Sequence, residues 1–146
     1  MKRVLGFDLG AKTLGIAISD SLGIAAHGYE NFRFNENGYQ QAIAHALSVI
    51  KKEGIEEIAL GLALNMNGSE SNSSKVARRF KEELLKRNKA LKITLIDERM
   101  TTLQANRLLL EADLSRAKRK KVIDMTSAVM ILETYLRQKE NEVKNG

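Results

Sequence analysis

Asp8 lies inside a run otherwise built of Val4, Leu5, Phe7 and Leu9. An ionised carboxylate in such surroundings is costly unless it is paired or bound to a metal. Asp124 raises the same question, because on a helix it falls in line with Ala128, Ile131 and Tyr135, the apolar stripe that must face a core. Asp97 and Glu98 end a third apolar run. Successive strand residues point to opposite faces, so only one of that pair can converge with Asp8, and the pattern leaves open which. Each acid also has a plain alternative. Asp8 could organise the Gly10 turn, the Asp97–Glu98 pair could be a solvated strand end answered by Arg99, and Asp124 could be a first-turn acid favoured by the helix dipole.

Three carboxylates delivered from two strand ends and a helix would form a compact oxygen-only pocket, which suits Mg2+ or Mn2+ rather than zinc. Such ions activate a water and steady the leaving oxygen of a phosphodiester. The chain has two histidines, His27 and His45, and no cysteine. Triad chemistry therefore has little support, and thiolate catalysis and cysteine-bound metals are excluded. The run Arg116-Ala117-Lys118-Arg119-Lys120-Lys121 stands immediately before Asp124, where a polyanion would meet the proposed metals. Its alternative is a merely solvated charged segment. Lys12 and Arg99 join it as candidate nucleic-acid contacts, and the net charge of +6 favours polyanions in general.

The elements that position these residues follow from periodicity. Val4 to Leu9, Leu14 to Ser19 and a weaker segment from Ile24 to about Phe32 predict a β-meander with turns at Gly10–Thr13 and Asp20–Gly23. Tyr39, Ile43, Leu47 and Ile50 recur at helical spacing and close near Gly54. Ile55 to Leu64 reads as a buried central strand, broken by Asn65-Met66-Asn67-Gly68. Val76, Phe80 and Leu84 carry a second helix, and Leu91 to Ile96 a further strand. Thr101 and Gln104 form a capping-box pattern that opens a third helix through Leu110, and a fourth covers roughly Val122 to Gln138. The order βββαβαβαα implies a mixed α/β sheet.

At 146 residues, 43% hydrophobic and 29% charged, the chain is read as one domain, residues 1–146, without linker or repeat. No apolar run approaches a membrane span or a signal sequence, so the expectation is a cytoplasmic protein with no membrane partner, monomeric or weakly homodimeric.

The motifs together resemble one family. Phe7-Asp8-Leu9-Gly10 with Lys12, Gly15, Ala17, Ser19 and Asp20, then Gly61 to Glu70, then Asp97-Glu98-Arg99 with Thr101-Thr102, and finally Lys120 to Asp124 with Ser127-Ala128 and Ile131-Leu132 are similar to the YqgF (RuvX) family, in order and over almost the whole chain. The resemblance implies a ribonuclease H-like fold with sheet order 3-2-1-4-5 and helices on both faces, related to Holliday-junction resolvases. It also implies a nuclease role at the 5′ end of pre-16S ribosomal RNA. Family-like positions put the acidic site at Asp8, the Asp97–Glu98 pair and Asp124, with Glu98 preferred over Asp97 as metal ligand and Asn65 and Asn67 in a nearby loop. The family usually has proline where this chain has Ala63. Nucleases of the wider fold generally carry an acid on the strand that here reads Ala59-Leu60-Gly61-Leu62, and none stands there. The missing carboxylate is then expected from the adjacent strand, through Asp97 or Glu98. Two other functions compete: Holliday-junction resolution on branched DNA, and a catalytically silent RNA-binding assembly module. A nucleotide-binding reading of the Asp-x-Gly turn is weaker, since such proteins close two domains over their ligand.

Overall fold

The computed structural model describes residues 2–101 and 116–145, with side chains of the closing helix from 126 to 143. Strands β1 (Val4–Leu9), β2 (Thr13–Ser19) and β3 (Ala26–Arg33) form the meander. Helix α1 (Tyr39–Glu53), β4 (Glu57–Leu62), α2 (Asn72–Arg87) and β5 (Lys92–Asp97) follow, then a 3-10 turn at Glu98–Met100 and helix α3 (Arg116–Asn145). The sheet order is β3-β2-β1-β4-β5, antiparallel within the meander and parallel from β1 through β4 to β5. This is the mixed sheet that the alternation of apolar runs and helical stripes implied.

The pleat of β1 separates two cores. Leu5 and Phe7 join Leu14, Ile16, Ile58 and Leu60 under α1 and α2, where Phe7 meets Phe80 edge-on at 6.0 Å. Val4 joins Ala17, Ala59 and Ile96 under Ala128, Ile131, Leu132 and Tyr135 of α3. Gly6 shares that second face, and the alternation assigns Asp8 to it as well.

Helix α3 sits almost on the sheet backbone. A Cβ at Gly6 would stand 2.7 Å from Leu132 Cβ and 2.8 Å from the Ala128 carbonyl oxygen, and one at Gly61 would stand 2.5 Å from Ile131 Cδ1. Further along, the Tyr135 hydroxyl and the Lys139 ammonium both donate to Glu57 at the start of β4. Burial, the largest single influence, pushes the Glu57 carboxyl up, but these two bonds together with the charges of Lys139 and Lys92 hold it below its ordinary value. Residues 128 to 139 of the helix thus run from the middle of the sheet towards the starting ends of the parallel strands. Its 30 residues span about 45 Å, more than twice the roughly 20 Å of a six-residue strand, so its first turns extend beyond the finishing ends of β1 and β4.

Some boundaries differ from expectation. The central strand begins at Glu57 and ends at Leu62 instead of running from Ile55 to Leu64, because Ile55 donates its N–H back to Ile50 O and Leu64 turns back onto Leu62 O. The last helix starts at Arg116, not near Val122. The basic run is therefore its opening turns, since Arg, Ala and Lys favour helix without adding to an apolar stripe. Helix α2 starts at a box missed in the sequence: Ser71 Oγ accepts from Ser74 N at 2.9 Å, and Ser74 Oγ accepts from Ser71 N at 2.8 Å. The third helix expected from Thr101 to Leu110 lies outside the described residues. Thr101 itself closes the 3-10 turn, its N–H and hydroxyl both on Glu98 O.

The helix seat makes a direct prediction. Gly6→Ala should destabilise the fold by about 1–3 kcal/mol, because the new methyl meets backbone and a Cβ that cannot rotate away. Urea unfolding measures this, and a neutral result would mean that α3 is free to lift.

Candidate active site

Parallel strands β1, β4 and β5 finish at one edge of the sheet, and Asp8 is the half-buried penultimate residue of β1. Extending the register Phe7↔Leu60 by one residue sets Asp8 beside Gly61, and Gly61 in turn pairs with Ile96. At the end of β5 the chain enters its 3-10 turn, and the two acids there part company. Asp97 caps the turn, its Oδ1 accepting from Arg99 N at 2.9 Å. Both its oxygens also receive the Arg99 guanidinium, at 3.1 Å from Nε and 2.7 Å from Nη2. That hydrogen bonding outweighs the effect of burial and keeps the Asp97 carboxyl below its usual range.

Glu98 takes the other side. Its carboxyl carbon lies 3.4 Å from where a Cβ on Gly61 would be, on the face roofed by Ile131. Asp8 and Glu98 therefore lie on the α3 face to either side of β4, where Gly61 leaves room for the Ile131 side chain. Of the two acids at the end of β5, Glu98, the first residue of the 3-10 turn, is the one whose carboxyl comes near Gly61. Asp97, grouped with the catalytic candidates, is hydrogen-bonded to Arg99 through both oxygens. Arg99, grouped with the nucleic-acid contacts, is exposed and hydrogen-bonded within the chain: besides Asp97 it donates from Nη1 to Met66 O at 3.1 Å, tying the end of β5 to the loop after β4.

That loop holds its own shape. Asn65 Nδ2 donates to Ser69 Oγ at 2.9 Å and to Glu70 O at 3.1 Å, while Asn67 Oδ1 accepts from the N–H and hydroxyl of Ser69. Asn65 and Asn67 thus work as scaffold, with Met66 78% exposed at the tip. Glu70 is clamped by Arg78 at 2.7 and 3.0 Å.

Asp124 lies in α3 on the stripe of Ala128 and Ile131, one turn nearer the strand ends than the residue seated on Gly6. Its side chain is outside the described set, as are those of Arg116, Lys118, Arg119, Lys120 and Lys121 in the turns before it. Lys12 is exposed on the β1–β2 turn, which closes from Gly10 N to Thr13 O at 2.8 Å. His27 stands exposed on β3, and His45 is stacked on Phe32 and bonded to Glu30 at 2.6 Å, so neither serves this edge. Among the described residues no group of three or more potential metal ligands converges; two carboxylates share the face beside Gly61. Sequence reasoning missed Gly61, whose signal was a glycine in the middle of an apolar strand.

This topology defines the class: a ribonuclease H-like domain of the resolvase type. RuvC of Thermus thermophilus, solved in complex with a Holliday junction substrate, shares the fold at a TM-score of 0.58 and 14% identity, over 96% of this chain and 97% of that one. The fowlpox virus Holliday junction resolvase gives 0.57 and 13%, over 93% and 99%. The chain belongs to the RuvX family, described as Holliday junction resolvase, whose model matches residues 2–138. Similar relatives include proteins of Staphylococcus carnosus, 43% identical, and Staphylococcus aureus, 42% identical, each over 92% of this chain and 94% of its own length. Both carry the provisional name pre-16S rRNA nuclease.

The Asp97 latch has a pH signature. A carboxyl whose folded pKa is depressed adds stability that is present above its unfolded pKa of about 3.9 and is lost as pH falls through the folded value. The stability gap between wild type and Asp97→Asn should be constant near neutrality and shrink in acid below about pH 4. Denaturant titrations across pH measure it, and a gap undiminished in acid would mean that the ion pair contributes nothing.

Proposed function

We propose that residues 1–146 act as one cytoplasmic domain, a divalent-metal-dependent nuclease that trims the 5′ end of pre-16S ribosomal RNA. Asp8, Glu98 and Asp124 would be the metal-holding carboxylates. The observation that carries this reading is the placement of Asp8 and Glu98 on one face of the sheet, to either side of Gly61. The donor chemistry fits Mg2+ or Mn2+: these are carboxylate oxygens at the border of an apolar core, and both histidines lie elsewhere. When bound, such an ion supplies a polarised water and charge to steady the leaving oxygen of a phosphodiester.

The chain's own residues do the rest. The Arg99–Asp97 latch fixes the end of β5, so that Glu98 is held towards Gly61 without a search through rotamers. Ile131 roofs the site and limits water. The basic opening turns of α3, with Lys12 on the turn after β1, would draw the phosphate backbone across this edge. The relatives' names favour ribosomal RNA as substrate, while the family description and the junction-bound RuvC favour branched DNA, which the same carboxylates could cleave.

Asp8→Ala and Glu98→Ala should each lower Mg2+-dependent cleavage by roughly 100-fold or more. Both should weaken Mn2+ binding in calorimetry, whereas Asp97→Asn should keep it. The assay pairs a pre-16S 5′ leader with a four-way DNA junction, and faster cleavage of the junction would reassign the substrate. Full activity in either alanine variant would remove the carboxylate site.

A further inference from the structure

On the sheet face opposite α3, a cleft of about 460 Å3 opens between the first turns of α1 and α2. Asn37 and Tyr39 form one wall and Asn72, Lys75 and Arg79 the other. Lys75 and Arg79 stand four residues apart on α2, so their cations crowd the same side of the helix, an unfavourable arrangement by itself. Among the described residues neither has an acid within ion-pair distance. Glu83, the acid that lines the cleft, is taken by Arg87 at 2.7 Å and Lys86 at 3.2 Å. Glu70, whose field reaches Lys75, is held by Arg78. No acid stands in the first turn of α1, so the positive end of its dipole adds to the same field, whereas the start of α2 already faces Glu70, which accepts from Ser74 Oγ at 3.1 Å.

The cleft adjoins the carboxylate edge. Phe34 N donates to Lys12 O at 2.8 Å and Asn37 N to Ala11 O at 2.9 Å, so the segment leading into α1 is stitched to the turn that follows Asp8. Helix α2 starts directly after the loop that Arg99 ties to β5. A strand crossing the edge at Asp8 would pass over Lys12 and arrive between the two helices.

We propose that this cleft holds a single-stranded stretch of the nucleic acid being cut, with Lys75 and Arg79 on its phosphates and a base against the Tyr39 ring. The inference rests on the nuclease reading for the identity of the polyanion. Two cations with no acid at ion-pair distance among the described residues, beside an aromatic ring in one cleft, are the elements of single-strand binding.

The test compares binding of a blunt RNA hairpin with the same hairpin carrying a single-stranded extension, by fluorescence anisotropy in wild type and Lys75→Glu/Arg79→Glu. Wild type should prefer the extended hairpin, and the variant should lose that preference, its affinity for the extended form falling about tenfold. The slope of log affinity against log salt should shrink by about 1.4, roughly 0.7 for each lost phosphate contact on a single strand. An extension made of DNA should serve equally, since phosphates and stacking do not read the sugar. No preference in wild type, no advantage from the DNA extension, or equal weakening of both hairpins in the variant would overturn the proposal. If wild type cleaves neither hairpin yet the variant loses the preference, the nuclease reading fails and the cleft stands.

Discussion

The close seating of α3 on the backbone of β1 and β4 is the contact on which the arrangement depends. Gly6 and Gly61 have no Cβ, so Ala128, Ile131 and Leu132 settle where side chains would otherwise keep a helix away. The same absence at Gly61 is filled by the Ile131 side chain, with the Glu98 carboxyl beside it. One device thus fixes the helix that carries Asp124 at both strands. At the other end, Glu57 receives Tyr135 and Lys139, so α3 is held at two levels of the sheet while its basic turns extend past the edge.

Arg99 shows how an apparent surface group can order a site. Its guanidinium engages Asp97 on one side and Met66 O on the other, joining the end of β5 to a loop already stiffened by Asn65, Asn67 and Ser69. With Asp97 capping the 3-10 turn through Arg99 N, Glu98 opens that turn with its carboxyl beside Gly61.

Much of this was legible in the residues. The bounds of β1, the stripe of α1 ending at Gly54 and the mixed sheet follow from apolar spacing, because those elements each bury one regular face. Asp8 stood out because a charge interrupts an apolar run. The split between Asp97 and Glu98 was not legible in spacing: it depends on a 3-10 turn and on a capping bond to Arg99, both decided by local geometry after the strand ends. The preference for Glu98 came from family likeness. The true start of α3 was hidden because its first turns are all charged or small, and an apolar stripe cannot mark them. The role of Arg99 depends on Met66, 33 residues away in sequence, which no local pattern reveals.

The tight fit of α3 inverts a common expectation about mutational tolerance. In most cores the bulkiest buried residues are the most sensitive and the smallest the most forgiving, since a little extra volume can be absorbed nearby. Here the fixed points are positions with the least side chain, and their neighbours across the interface inherit the restriction: Ala128, fully buried above Gly6, has no room to grow either. Drift in this layer must therefore be correlated, a gain of atoms on the strand being matched by a loss on the helix, while the Phe7–Phe80 core on the opposite face is free to trade volume among several partners.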